Sequence, residues 1–254
     1  MKIRTHLDVL KQASVWRDEN SVPARKTAHD LLVSGLKEFP EALPIGDELV
    51  LVLKKEKRID DAIVLLEQLN RRFRQIGEET LCRWASIHKL RAMERMGSKA
   101  YAQAIMDCEE SEKFCARAYE QHHSFYPRIN ELSVRFLRAA LLEALQHSEE
   151  SLALLALVDA DLRKMLADPI VWTPRKSDDE IWSRATRGEA LFLLRRWDEA
   201  ESAYGEAIRG AGDKKFYSDC MADQLEKMLN PAMNLLGIPI GGKLANPNDF
   251  FRRS

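Results

Sequence analysis

The chain has 254 residues, of which 45% are hydrophobic and 31% are charged. This length is sufficient for a folded core, and the content of 11 glycines and 9 prolines argues against disorder, collagen and turn-rich β architectures. Lysine and arginine (39) nearly balance aspartate and glutamate (40), so a net charge of -1 excludes a global positive field that would hold an extended nucleic acid.

The cysteines and the apolar runs predict a cytoplasmic protein without a membrane anchor. Cys82, Cys108, Cys115 and Cys220 lack CxxC spacing, so we expect reduced, partly buried thiols. The N-terminal stretch is charged throughout, and no window offers about 18 uninterrupted apolar residues, which excludes a secretory signal and a membrane helix. No motif predicts a metal, a cofactor or a nucleophilic catalytic site, so we expect a non-enzymatic protein.

Small and large residues recur in the N-terminal part at the tetratricopeptide period. Ala28 and Leu32 are followed 34 residues later by Ala62 and Leu66. The match is partial, because the glycine and the proline that close the first unit are not repeated in the second. It predicts stacked helix pairs, each of which buries its apolar face only against a neighbour.

The clearest hairpin pattern lies near the C-terminus, in GEALFLLRRWDEAESAYGEAI. It places small and aromatic residues at the offsets of a tetratricopeptide helix pair: Gly188, Trp197, Ala200, Tyr204 and Ala207. Small side chains let antiparallel helices approach closely, and the aromatic rings are expected to fill the space against the next pair. Ala62 and Ala200 are 138 residues apart, close to four periods, which predicts helix pairs of the same kind between them.

The middle of the chain fits the period less well, and longer helices are predicted there. Their expected ranges are about 79–95, 99–121, 127–146 and 149–168. The segment ADPIVWTPRKSDDE then predicts a loop and a helix capped by Ser177 or Asp178.

Taken together, the patterns predict an all-α, tetratricopeptide-like right-handed helical solenoid over residues 1–236. We expect about five or six helix pairs, with an irregular middle. Residues 237–254 are expected to form a non-helical C-terminal tail that lies on the solenoid, with Phe250 and Phe251 in a groove.

Two elements, YPRIN and the later RWDEAESAY, carry a family resemblance. They resemble the TRAFs-binding domain of apoptosis signal-regulating kinases and its bacterial relatives, the TPR-S domains, over about residues 55–230. The matching residues are Tyr126, Pro127, Ile129, Asn130, Trp182, Ala185, Glu189, Ala190, Leu193 and the pattern 197–207. Arg128 stands where the family has glycine, so a glycine-dependent ligand contact is not carried over. The resemblance implies a regulatory or sensor module that recognises a nucleotide-like signal or a protein partner.

The YPRIN element has two interpretations. Pro127 suits the first turn of a helix and Asn130 can bond nearby backbone groups, which would make the element structural. Alternatively, Tyr126, Arg128 and Asn130 form the rim of a pocket in which the Arg128 guanidinium holds a phosphate or a carboxylate.

Two arginine pairs at helical spacing are the further candidates for a ligand site. Arg135 and Arg138 share one helix face, and Arg184 and Arg187 share another. These faces either are solvated or meet on the concave side with Trp182, where a nucleotide would stack its base on the indole and pair its phosphates with arginine.

We therefore expect an adaptor or scaffold that binds a partner protein through the concave solenoid face, in signalling or bacterial defence. The alternative is a sensor module that binds a nucleotide-like small molecule and regulates a separate effector polypeptide. Neither hypothesis involves an extended nucleic acid, a membrane or a cofactor.

Overall fold

The computed structural model describes residues 5–19, 21–173, 179–212 and 214–252. These residues form α-helices joined by short turns, with no β-strand among them, so the predicted all-α class is confirmed. The chain divides into two compact units, Met1–Ile87 and His88–Ser254, which are described separately.

The first unit contains two helix pairs and the beginning of a further helix. Its elements are α1 (His6–Asp18), α2 (Val22–Glu38), α3 (Leu43–Lys55), α4 (Ile59–Arg72) and the first half of α5 (Glu78–Gly97). Two glycines allow the helices to touch. A Cβ atom on Gly35 would lie 2.6 Å from Val9, and one on Gly46 would lie 2.6 Å from Leu69. Larger residues at these positions would push the helices apart.

The second unit begins within α5 and contains the longer helices. Its further elements are α6 (Tyr101–His122), α7 (Phe125–Ala144), α8 (Ser148–Ala167), α9 (Asp179–Leu193), α10 (Trp197–Ala211), α11 (Lys215–Gln224), α12 (Asn230–Leu235) and α13 (Pro247–Arg252). The four long helices predicted for the middle of the chain are confirmed to within a few residues. The predicted capping residues Ser177 and Asp178 lie outside the described residues.

One type of turn joins the two helices of four successive pairs. Its central residue has a positive φ of 60° to 64°, at Lys57, Lys99, Gln146 and Arg195. In each turn this residue donates its N–H to the carbonyl three residues earlier, and the next residue donates to the carbonyl five residues earlier. This is the Schellman motif, which ends a helix abruptly and satisfies its last carbonyls.

A buried small residue recurs at a fixed distance after each of these turns, although the turns themselves are unevenly spaced along the sequence. Five residues after each turn residue stands a small side chain with no exposed surface: Ala62, Ala104, Ser151 and Ala200. Successive turns are 42, 47 and 49 residues apart. The 138 residues from Ala62 to Ala200 therefore contain three long steps, and the expectation of four periods of about 34 residues was wrong. The middle departs from the period because its helices reach 20 and 22 residues.

Small residues bring the two helices of a pair into direct contact. In the α7–α8 pair, the Ser151 hydroxyl donates a 2.8 Å hydrogen bond to the Ala139 carbonyl, so a buried polar group is satisfied. In the α9–α10 pair, the Tyr204 ring lies on Gly188, where a Cβ atom would be 2.8 Å from the ring. Tyr204 thus fills space within its own pair, whereas the sequence predicted a contact with the next pair.

Residues 215–235 form a nearly continuous helix that contains a π-helical turn at Leu225–Leu229. The turn precedes Pro231, whose ring would clash with the carbonyl four residues earlier in a regular α-helix, and a widened turn relieves that clash. Ala232 and Met233 are fully buried, and α12 packs against α7. α7 therefore contacts α6, α8, α9 and α12.

The C-terminal segment is not the non-helical tail that was predicted for residues 237–254. A 3-10 turn, Gly242–Ala245, is followed by α13. Pro247 starts this helix, where its missing N–H leaves no hydrogen bond unmade. Phe251 is 1% exposed and its ring lies 5.2 Å from that of Tyr204, edge to face. Burial of this ring, and not local propensity, explains a helix as short as α13.

Candidate anion-binding site

The YPRIN element forms the first turns of α7. Tyr126 is 47% exposed, and its carbonyl accepts a 2.9 Å hydrogen bond from the Asn130 amide. The Asn130 side-chain oxygen accepts a 2.8 Å hydrogen bond from Lys89. Both polar ends of Asn130 are therefore engaged within the protein, as the structural interpretation of the element requires.

Asn130 belongs to a polar cluster that links four helices of the second unit. Lys89 on α5 also donates to Gln224 on α11, and Gln224 donates a 2.9 Å hydrogen bond to Glu189 on α9. Ser133 on α7 donates a 2.5 Å hydrogen bond to the same carboxylate. Burial raises the pKa of Glu189, while the hydrogen bonds from Ser133 and Gln224 and the charge of Lys89 oppose the rise. This cluster fixes the helices relative to one another and leaves Asn130 few unused hydrogen-bonding groups.

The predicted arginines of α7 lie in a network of ion pairs with carboxylates of neighbouring helices. Arg128 contacts Glu131 and Asp161, each at 2.8 Å, and lies over the Tyr119 ring. Burial lowers the pKa of Arg128, but the charges of Glu131 and Asp161 outweigh it and the pKa is raised. Arg128 is therefore a structural cation whose charge is already matched.

Arg135 and Arg138 are matched in the same way. Arg135 contacts Glu131 at 2.5 Å and also reaches Asp161 and Glu112, and Arg138 contacts Glu112 at 2.8 Å. Burial raises the pKa of Glu112, and the two arginines lower it in part. A ligand phosphate at these guanidinium groups would have to displace several carboxylates.

Trp182 and Arg184 lie elsewhere, on α9. The Trp182 ring is 5.0 Å from that of Tyr217 and 6.2 Å from that of Phe216, so it belongs to an aromatic cluster with α11. Arg184 is paired with Glu180, one turn earlier on the same helix. No contact within the described residues joins this pair of residues to Arg135 and Arg138, so the structure does not form the basic cup that the sequence suggested.

Of the eight predicted site residues, Arg187 alone lines the cationic cavity of the second unit. This cavity has a volume of about 300 Å³ and is formed by the end of α8, the outer face of α9 and the start of α10. Its lining consists of Arg163, Leu166, Ala167, Arg187, Leu191, Arg196 and Glu199. The binding roles of the other predicted residues stay predictions.

The charge in this cavity is positive and partly unmatched. Arg196 holds Glu199 through two hydrogen bonds of 2.6 and 2.5 Å. The hydrogen bond from Arg196 lowers the pKa of Glu199, and the charges of Arg196 and Arg187 lower it further. Arg163 and Arg187 are both exposed, and neither forms an ion pair with any residue in the described part of the chain. Two guanidinium groups are thus available to an anion from solution.

A second cavity, of about 370 Å³, has the opposite character. It lies between α6 and α7, and its wall includes Glu109, Glu112 and Glu131. Arg135 in the same wall is paired with Glu112 and Glu131, and Lys113 is paired with Glu110, so this wall disfavours an anion. The α8–α10 cavity is therefore the better candidate for a negatively charged ligand.

Sequence reasoning missed Arg163 and Arg196. Arg196 directly follows the turn residue Arg195, so recognition of the repeated turn would have placed it at the start of the second helix of its pair. Arg163 carries no such signal, because its proximity to α9 depends on how one pair stacks on the next.

The fold and this cavity define an all-α helical-repeat protein with a cationic cavity between successive repeats. Residues 24–137 match the model of the TPR-S family, whose name stands for Tetratricopeptide Repeats-Sensor, and this match confirms the predicted resemblance to TPR-S domains and the tetratricopeptide-like fold class. The match overlaps the predicted range of about 55–230 over residues 55–137, and the arginines of the cavity lie beyond it. No curated protein and no solved structure matches the chain.

Two further observations bear on the setting of the protein. Cys108 and Cys115 are buried and Cys82 and Cys220 are partly buried, as predicted. None of the described helices combines the length and the hydropathy that crossing a bilayer requires.

Proposed function

We propose that the protein is a non-enzymatic sensor module that binds a small, nucleotide-like anion in the α8–α10 cavity and regulates a separate effector polypeptide. The observation that carries the proposal is the pair of exposed arginines, Arg163 and Arg187, beside an apolar wall. Guanidinium groups bind phosphates through paired hydrogen bonds, and Leu166 and Leu191 offer a surface for a base or a sugar. The volume of about 300 Å³ is at the small end of ligand sites, which favours a mononucleotide.

The position of the cavity suggests how binding would be passed on. Arg163 belongs to the α7–α8 repeat, whereas Arg187 and Arg196 belong to the α9–α10 repeat. An anion held by both repeats would favour one stacking angle between them, and an effector that prefers this angle would bind more tightly. The implied setting is a signalling or bacterial defence pathway.

The test is thermal unfolding in the presence of mononucleotides, cyclic nucleotides and inorganic phosphate. A ligand at about 100 times its Kd stabilises the folded protein by about 2.7 kcal/mol, which raises the unfolding midpoint by roughly 5–10 °C. We expect such a rise with at least one nucleotide, and we expect Arg187→Gln to abolish it.

The matched control is Arg209→Gln, since Arg209 is an exposed arginine of α10 outside the cavity wall. This variant should respond to the ligand as the wild type does. A panel that produces no rise would refute the sensor proposal, as would a rise that survives Arg187→Gln.

An adaptor for a partner protein is the second candidate, and exposed apolar side chains of the first unit favour it. Val15, Trp16 and Val22, at the junction of α1 and α2, are 65%, 40% and 72% exposed. Aromatic residues of this kind are frequent anchors of protein interfaces. We expect a partner recovered by affinity capture to be lost with Trp16→Ala and kept with Arg187→Gln. Retention of the partner by Trp16→Ala would argue against this surface.

A further inference from the structure

The outward face of α8 is apolar, which is unusual for an exposed helix. Leu152 and Leu157 are 65% and 59% exposed, although the inward face already buries Val158, Leu162 and Met165. A helix that packs on one side only normally carries polar residues on the other side. Exposed leucines on the outward side of a helix mark a candidate interaction surface.

The pattern of this face is that of a helix that packs against another helix. Exposed positions alternate at steps of three and four residues from the preceding turn to the end of α8: Gln146, Glu149, Ala153, Ala156, Ala160, Arg163 and Ala167. This spacing is the seam of a coiled coil. The alanines at its centre would allow a close approach, and the leucines beside them would cover the seam from both sides.

The charges at the two ends of α8 indicate which partner helix would pack against this face. Glu149 and Glu150 are exposed at the start of α8, and Arg163 and Lys164 are exposed near its end. In an antiparallel pair of two α8 helices, the acidic end of each lies against the basic end of the other. A parallel pair would place like charges together.

The register supports the same arrangement. When Glu149 is set opposite Lys164 of the partner subunit, Ala153 falls opposite Ala160 of the partner subunit. The two-fold axis then passes between positions 156 and 157, so the small Ala156 side chains of the two copies lie close together at the centre of the seam.

We infer that the protein forms a symmetric homodimer through antiparallel pairing of α8 with α8 of a second copy. A single pair of helices of 20 residues is a small interface, so the dimer is expected to form and dissociate at micromolar concentration. The seam includes Arg163 and Ala167 of the α8–α10 cavity wall, so the dimer would compete with the proposed ligand for Arg163.

The first test is analytical ultracentrifugation of the wild type from about 1 to 100 µM. We expect a shift from monomer to dimer over this range. Ala156→Glu places a charge at the two-fold axis and should raise the dimer Kd at least about tenfold. Ala102→Glu, at an exposed site on α6, is the matched control and should dimerise as the wild type does. A wild type that remains monomeric throughout, or an Ala156→Glu variant that dimerises unchanged, would overturn the inference.

The second test exchanges the terminal charges. Glu149→Lys and Lys164→Glu alone each set like charges against each other and should weaken the dimer several-fold. The double variant restores opposite charges and should dimerise as the wild type does. If the double variant were weaker than both single variants, the antiparallel register would be wrong. None of these variants changes a residue of the cavity wall, and the ligand test is run at about 1 µM, where the protein is expected to be monomeric, so the two outcomes can be told apart.

Discussion

Replacing Gly188 by alanine tests the closest helix contact in the α9–α10 pair. The new Cβ atom would lie 2.8 to 3.0 Å from three atoms of the Tyr204 ring, well inside van der Waals contact. Tyr204 is 2% exposed, and Phe251 lies against its ring, so the ring has little room to move. Overpacking of this kind costs about 1–3 kcal/mol, and alanine regains about 1 kcal/mol of helix propensity. We expect the free energy of unfolding to fall by up to about 2 kcal/mol.

The same substitution at Gly205 provides the control. Gly205 lies in α10, where a Cβ atom would meet only the guanidinium end of Arg209, at an ordinary contact distance of 3.5 Å. Here the propensity gain is unopposed, so Gly205→Ala should be more stable than the wild type by about 1 kcal/mol. Thermal unfolding followed by far-UV circular dichroism should show opposite shifts, of roughly 2–4 °C for each kcal/mol. Equal shifts in one direction would mean that α9 and α10 do not meet at Gly188 and Tyr204.

Two further predictions concern the turns and the buried polar cluster. Lys99 has a φ of 62°, a left-handed backbone conformation that strains any residue except glycine. Lys99→Gly should therefore raise the free energy of unfolding, measured by urea titration, by up to about 1 kcal/mol. Lys99→Ala keeps the strain and should bring no gain. Burial raises the pKa of Glu189, so the folded state favours its protonated form. Above the unfolded-state pKa of about 4.3, stability therefore falls as the pH rises through the folded-state pKa. Glu189→Gln should unfold at higher urea concentration than the wild type at pH about 8 but not at pH about 4, and an equal difference at both values would contradict the assignment.

The sequence predicted those parts of the fold that depend on one helix pair. The pattern from Gly188 to Ala207 is recognisable because its spacings are set by the geometry of two helices and one turn. The long helices of the middle were also predictable, since breaks such as Gly97-Ser98 punctuate them. The length of each repeat was not predictable, because helix length varies while the register is kept only relative to each turn.

Contacts between pairs account for most of what the sequence could not predict. Arg135 and Arg138 do share a face of α7, as their spacing indicates, but the spacing does not show which groups oppose them. Glu109 and Glu112 come from α6 and neutralise the arginines, and their positions depend on the stacking of α6 against α7. The short helix α13 was missed for a related reason, because its stability comes from burial of Phe251 against a residue 47 positions earlier, Tyr204.

The turn of the α9–α10 pair places part of the candidate site. Its Schellman motif ends α9 at a defined residue and thereby sets where α10 begins. The cavity lies at this end of the α9–α10 pair, beside the turn residue Arg195, whose guanidinium pairs with Asp159 of α8 at 3.0 Å. Arg196 and Glu199 are therefore placed by this turn, whereas Arg163 lies near the far end of α8, 17 residues after the turn residue Gln146, so its place in the wall depends on how α8 packs beside α9 and α10.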